Sequence, residues 1–274
     1  MSVQNVGAPA LKKAILVVSF GTSYAETRAK TIDATEAAIA AAYPEYEIRR
    51  AFTSKMIIRI LKNRDGLHVD TPEEALQRLC DEGFDEVIVQ SLHIINGSEY
   101  HDTLKVCSRF RPRFSRFAHG TALLNSPEDY KTVARAFAAH CPVLKPGEAL
   151  LLMGHGSVHG SNAAYPALDY TFKQLGYPHI HVGTVEGYPE LPEVLELMAP
   201  HQYRKVYLMP LMLVCGDHAI NDMASDEEDS WKTVITARGC EAVPILLGMG
   251  EMPEIRQLFT EHLQKTLEAF HELS

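Results

Sequence analysis

The chain has 274 residues, 46% of them hydrophobic and 22% charged, with a formal net charge of −9. That composition belongs to an ordinary globular protein, long enough for one large domain or two of about 130 residues each. An acidic balance without a long basic run argues against nucleic-acid binding, and no apolar run approaches the roughly 18 residues that a membrane span needs.

Residues 1–13 show no positive region followed by an apolar stretch, so no secretory signal is expected there. Residues 14–20 are continuously apolar apart from Ser19, the pattern of a strand buried on both faces of a parallel sheet. Ser23 and Glu26 have capping-box spacing and predict a helix through Ala42. Residues 46–53 read as a second strand, and residues 55–61 have helical spacing. Thr71, Pro72 and Glu74 predict a strong helix start, ending near Gly83. Residues 86–93 form a third strand and 117–123 a weaker fourth. Ser126 and Pro127 open a helix to about His140.

Residues 141–147 are rich in Pro and Gly and predict a linker. The pattern then restarts, with strands at 149–154, 179–185, 205–214 and 242–247. Helices are expected at 164–175 and 191–198, from a Ser225–Glu228 cap to Ala237, and over 253–273. The acidic run 226–229 is expected in the first turn of its helix, where the macrodipole favours it.

The two parts echo each other. Ala14–Ser23 matches Ala149–Ser157, and in a second pair Val87 aligns with Val206 and Gly97 with Gly216. The predicted fold is α/β, with two Rossmann-like halves over residues 1–140 and 148–274. Each half carries a roughly four-stranded parallel sheet flanked by helices, with a cleft between the halves. Polar chemistry is unequally shared. His155 stands where the first half has Phe20, and His218 where it has Glu99.

His155 follows the first strand of the second half, Glu186 the next, and His218 lies in the loop after the third. Open parallel sheets bind ligands outside the carboxyl ends of their strands, so these side chains are expected to converge. Two imidazoles and a carboxylate suit a divalent first-row metal with open coordination positions. Histidine also titrates near neutral pH, so the same groups can accept protons. Each has a plainer reading: a turn residue for His155, a helix cap for Glu186, a solvated loop residue for His218. Shared strand-end placement favours function over three coincidences. His93 also ends a strand, but Met212 occupies the equivalent place, which favours a structural role. His101 is left as a reserve ligand.

The Ser19–Ser23 loop, with the hydroxyls of Ser19, Thr22 and Ser23, reads equally as an anion site or as a helix cap. No GxxxxGK[ST] and no GxGxxG after a strand occur, so no nucleotide cofactor is expected. Ser157 is not in a nucleophile elbow. Five scattered cysteines without a CxxC pair fit reduced thiols, hence a cytoplasmic setting. Self-association into a homo-oligomer is left open.

Several segments together resemble a known family. Leu16–Ser23, Arg50–Ser54, Gln90–His93, Gly154-His155-Gly156-Ser157, Thr184–Gly187 and Pro210–Met223 are similar to those of the anaerobic cobalt chelatases of cobalamin synthesis. These are class II chelatases with a ferrochelatase-like fold, and the resemblance runs from about Lys13 to Leu263. It implies insertion of Co2+ into sirohydrochlorin, a reduced porphyrin-like ring bearing eight carboxylates. It implies His155, Glu186 and His218 as metal ligands, with His155 or Glu186 accepting the ring's protons. The ring's carboxylates would need donors, for which Arg50, Lys55, the Ser19–Ser23 amides and the loop from Ser157 to Asn162 are candidates. The competing readings are an iron (Fe2+) or nickel (Ni2+) chelatase on the same fold, and a carrier that binds metal or tetrapyrrole without turnover.

Overall fold

A computed structural model describes residues 11–272. Residues 1–10, on which the expectation about a secretory signal mainly falls, and the predicted helix end at residue 273 lie outside the described residues. The strands are β1 (Lys13–Ser19), β2 (Glu47–Phe52), β3 (Glu86–Ser91), β4 (Arg116–His119), β5 (Glu148–Gly154), β6 (Ile180–Thr184), β7 (Lys205–Leu211) and β8 (Glu241–Pro244). They form two four-stranded sheets in the orders β2-β1-β3-β4 and β6-β5-β7-β8. All pairings are parallel. The duplication is exact in register: Ala14 opposes Val87 across β1 and β3, and Ala149 opposes Val206 across β5 and β7.

The first half carries helices α1 (Ala25–Arg28), α2 (Ala34–Ala42), α3 (Lys55–Asp65), α4 (Pro72–Asp81), α5 (Ser98–Phe110) and α6 (Pro127–His140). The second carries α7 (Ala164–Gln174), α8 (Leu191–Met198), α9 (Trp231–Ala237) and α10 (Pro253–Glu272). Alternation along each central strand feeds two faces. Ala14, Leu16 and Val18 pack outward under α4 with Leu76 and Phe117, while Ile15 and Val17 point to the other face. Ala149, Leu151 and Met153 likewise pack with Val194 and Trp231. The remaining faces of both sheets share one apolar cluster, in which Ile15, Phe52 and Phe137 join Leu150, Phe172, Met209 and Phe259. Helix α10 follows the second sheet in sequence but packs on α2, α6 and β4 of the first half.

Two predicted caps form as the sequence specifies. Thr71 and Glu74 exchange hydrogen bonds at 3.3 and 2.8 Å, and Ser126 and Asp129 do so at 3.4 and 2.6 Å. Two others do not. Ser23 is buried with its carbonyl held by Arg64, and Glu26 pairs instead with Lys30, so α1 starts at Ala25 without a side-chain cap. The helix predicted through Ala42 is further interrupted by a π-turn over Ala29–Asp33. Downstream, Ser230 rather than Ser225 caps α9, because burial of Trp231 fixes the helix start there. The acidic run 226–229 consequently lies before α9 instead of in its first turn, with Asp226 paired to Lys232. Strands β4, β7 and β8 stop earlier than predicted, their apolar continuations becoming loops at the carboxyl edge of each sheet.

Candidate metal centre

The carboxyl ends of β5, β6 and β7 release three loops on one side of the second sheet. His155 follows Gly154, the last residue of β5, and Glu186 lies two residues beyond β6. Their loops interlock through backbone. The Val185 and Glu186 N–H groups donate to the carbonyls of Gly154 and His155 at 3.0 and 2.8 Å. Gly156 has φ +88°, and a Cβ there would lie 2.5 Å from the Gly187 nitrogen. A Cβ on Gly187 would lie 2.4 Å from Asn162 Oδ1. Only glycines let the two loops approach this closely. Asn162 ties both together, accepting from Ser157 N–H at 2.9 Å and donating to the Tyr188 carbonyl at 2.6 Å. Beneath them the buried Tyr165 hydroxyl receives the N–H groups of His155 and Gly156, and burial pushes that phenol up to about 12.

This framework brings the three predicted ligands together. His155 Nε2 is 4.0 Å from Glu186 Oε2. The rings of His155 and His218 meet edge to face, with centroids 4.8 Å apart and planes at 86°. One ligand atom from each of the three residues lies within 4.8 Å of the others. The second nitrogen of each imidazole is already engaged. His155 Nδ1 is 3.1 Å from the Gly156 carbonyl, and His218 Nδ1 is 2.5 Å from Asp222 Oδ2. Both acceptors require an N–H, so both Nε2 atoms carry lone pairs for a metal. A first-row ion with bonds of about 2.1 Å holds its ligands about 3.4 Å apart, so closure of roughly an ångström would complete the set. All three side chains reach solvent, which leaves coordination positions open.

The predicted ring contacts behave differently. Ser19 and Thr22 are buried, and Thr22 Oγ1 accepts from Tyr24 N–H at 3.2 Å. Ser23 is also buried. Ser157 uses its hydroxyl to accept from His159 N–H at 3.1 Å. The Arg50 guanidinium is ion-paired with Asp33 and Glu36. His93 and His101 lie in the first half, outside the trio. Asp222, Tyr165 and Tyr24, which the sequence reading did not single out, complete the centre, together with Asn162, which it named only as the end of a candidate ring-binding loop. Tyr24 reaches from the first half to Asp217, beside His218, at 3.2 Å. Asp222 had a visible signal, its i+4 spacing from His218. Tyr165 had none.

Two parallel four-stranded sheets of matched topology, with two imidazoles and a carboxylate exposed at adjoining strand ends, define a metal chelatase of the two-lobed class. The chain belongs to the cobalt chelatase (CbiK) family, whose pattern matches residues 13–268. It is 48% identical over 257 residues to the sirohydrochlorin cobaltochelatase of Salmonella typhimurium, covering 94% of this chain and 97% of that one. It is 33% identical over 264 residues to sirohydrochlorin cobaltochelatase CbiKC of Nitratidesulfovibrio vulgaris, covering 95% and 93%. Its fold is similar to that of SirB from Bacillus subtilis, solved with Fe3+, with a TM-score of 0.61, 14% identity and coverage of 93% and 96%.

Proposed function

We propose that this protein is a sirohydrochlorin cobaltochelatase, and that His155, Glu186 and His218 hold Co2+ for insertion into the ring. The observation that carries the site is the convergence of these three side chains within 4.8 Å at adjoining strand ends, in a chain 48% identical to a protein of that activity. Co2+ is a substrate here, bound through His155 Nε2, His218 Nε2 and a Glu186 oxygen. The ring approaches from the solvent side, where coordination positions are open. Its nitrogens replace water and then protein ligands on the ion. Two N–H protons leave as the metal enters, so that Co2+ and the diprotonated ring give the cobalt complex and two protons. His155, released from the metal, and Glu186 are the acceptors within reach. The backbone contacts of His155 and the Asp222 contact of His218 keep the imidazoles aimed throughout.

The donor set binds Fe2+ and Ni2+ as well, since nitrogen and oxygen ligands rank cobalt above iron and below nickel. The preference for Co2+ is therefore attributed to the balance between capture and release. Five unpaired cysteines support a reducing, cytoplasmic setting, and no helix among the described residues is long and apolar enough to cross a membrane.

The test is steady-state insertion into sirohydrochlorin with Co2+, Fe2+ and Ni2+ in parallel, followed by the visible spectrum. Turnover over many equivalents with Co2+, abolished in His155→Ala, is expected. A spectral change that stops at one equivalent of protein would identify a carrier instead.

A further inference from the structure

A cavity of about 490 Å3 opens along β4, between that strand and the C-terminal half of α10. Its volume falls within the roughly 300–1,000 Å3 of ordinary ligand pockets. Strand β4 is the outermost strand of the first sheet and pairs only with β3. The N–H groups of Arg116 and Gly120 donate to the Asp85 and Val89 carbonyls of that pairing at 3.0 and 2.8 Å. Alternation along the strand then turns the backbone of Phe117 and His119 toward the free edge, where the cavity lies. Phe117 and Ala118 of β4, with Ala269 and Phe270 of α10, give it an apolar wall. None of His155, Glu186 and His218 lines it.

The inner end of the cavity is a buried pin between two helices. Asp129, in the first turn of α6, and His262, on α10, are both buried, and His262 Nε2–H donates to Asp129 Oδ1 at 2.9 Å. The second Asp129 oxygen accepts from the N–H groups of Ser126 and Asn125 at 2.6 and 3.2 Å. His262 Nδ1 stands 3.4 Å from the Thr121 hydroxyl. Burial alone would raise the Asp129 carboxyl, but its hydrogen bonds from His262 and Ser126 hold it below the usual carboxylate range. The one acid of the cavity is thus compensated inside the wall, and the wall is fixed before any ligand enters.

The cations are not compensated. Arg111, in the turn after α5, and Lys265, on α10, line the same cavity from opposite faces of the sheet, one beside Phe110 and Phe114 and the other on the helix of the shared cluster. Neighbouring cations are committed, Arg109 to Glu73 and Arg116 to the buried Glu86. Among the described residues Arg111 and Lys265 form no ion pair. The acids one turn either side of Lys265, Glu261 and Glu268, accept instead from Gln257 and Gln264 at 3.3 and 2.8 Å. In a chain of net charge −9, two uncommitted cations on one cavity make a local positive potential.

We propose that this cavity is a second binding site, for a small amphipathic anion, a carboxylate or phosphomonoester on an apolar body. Arg111 and Lys265 hold the charge, the guanidinium as a planar fork and the ammonium as a point charge. The apolar wall takes the body. The Asn125 amide N–H2, whose carbonyl already accepts from Asn96 at 3.3 Å, adds a neutral donor. A cavity of this size takes a single ring or a short chain, far smaller than a tetrapyrrole, so the site is separate from the one that the metal centre serves.

The experiment is calorimetric titration of the full-length, metal-free protein with phenyl phosphate and with benzoate, and with benzyl alcohol as the uncharged counterpart. Wild type is compared with Arg111→Ala, Lys265→Ala and Ala269→Trp, which fills the cavity from an exposed helix position. Melting curves and Co2+ affinity check that each variant keeps its fold. At least one anion should bind with a stoichiometry of one and a Kd of about 1 mM or tighter, and the tighter of the two names the headgroup. Each alanine substitution should weaken it about tenfold, Ala269→Trp should abolish binding, and benzyl alcohol should bind at least about tenfold more weakly. Weaker binding of both anions than about 1 mM overturns the proposal. So does an affinity within about twofold of wild type in both Arg111→Ala and Lys265→Ala, which would place the anion elsewhere, or equal binding of benzyl alcohol, which would leave the cations without a role.

Discussion

His218 Nδ1 stands 2.5 Å from a carboxylate oxygen of Asp222, and this contact decides which nitrogen is left for the proposed metal. The π-turn over Ala219–Met223 begins directly after His218 and carries Asp222 back to it. A carboxylate on the far side of a ligating imidazole fixes its tautomer and raises its basicity, and removing such a partner typically costs 10–100-fold in metal affinity. Asp222→Asn is therefore expected to weaken Co2+ binding by about tenfold or more, measured by competition with a chromophoric chelator. Unaltered affinity would mean that His218 is oriented by other contacts. The convergence of His155, Glu186 and His218 was legible from sequence because each follows an apolar strand at the edge where parallel sheets bind ligands. The partners of Arg50 were not legible, because sequence shows a charge but not its neighbours. Asp33 and Glu36, less than one helical turn apart in the preceding helical segment, pair with it.

At the level of elements, the loops after β5 and β6 act as one unit because Gly156 and Gly187 touch through backbone. Gly156→Ala would place a methyl group into the Gly187 peptide at a φ of +88°, a conformation that costs a non-glycine residue about 1–3 kcal/mol before any clash. The expected result is a lowered melting temperature together with lost Co2+ affinity, since His155 and Glu186 separate when the loops do. A variant that melts lower but binds Co2+ normally would show that the ligands do not depend on this contact. Strand β6 carries a second, pH-linked device. His181 is buried among His179, His201, Lys173 and Tyr203. Burial first, then the nearby cations, lower its imidazole to about 3. The unfolded chain takes up this proton near pH 6.5, an ordinary histidine value. Stability is thus complete above that pH and falls as pH drops from about 6.5 toward 3, by up to about 1.4 kcal/mol per pH unit. His93 adds a similar slope down to about 4. Urea denaturation at pH 7.5, 6 and 5 should show this loss, and His181→Gln should flatten it. The caps of α4 and α6 were readable because their Ser/Thr, Pro and acidic residues all agree. Those at Ser23 and Ser225 failed because tertiary contacts of Ser23, and burial of Trp231, outweighed a local spacing.

The whole molecule shows the duplication twice over, in sequence echoes and in matched strand register, but the two copies are not independent bodies. We propose that residues 1–140 and 148–274 are halves of one cooperative unit. The linker at 141–147 was visible from its prolines and glycine. The partner of α10 was not, because helical periodicity reveals an apolar face without saying which sheet it will cover. That face, with Ile255, Leu258, Phe259, Leu263 and Leu267, is buried in the cluster shared by both sheets, and it lies against α2 and α6 of the other half. Cutting at the linker would expose it on one fragment and uncover α2, α6 and β4 on the other. Each buried large apolar side chain is worth about 1.5–3 kcal/mol, so the five on α10 alone contribute about as much as the roughly 5–15 kcal/mol by which a domain is stable. Neither fragment expressed alone is therefore expected to unfold cooperatively, whereas the full chain should lose both halves in a single transition. Circular dichroism of each fragment under urea tests this. A sigmoidal unfolding curve for 148–274 alone would show that the second half supports the metal centre by itself, and that α10 covers the first half without depending on it.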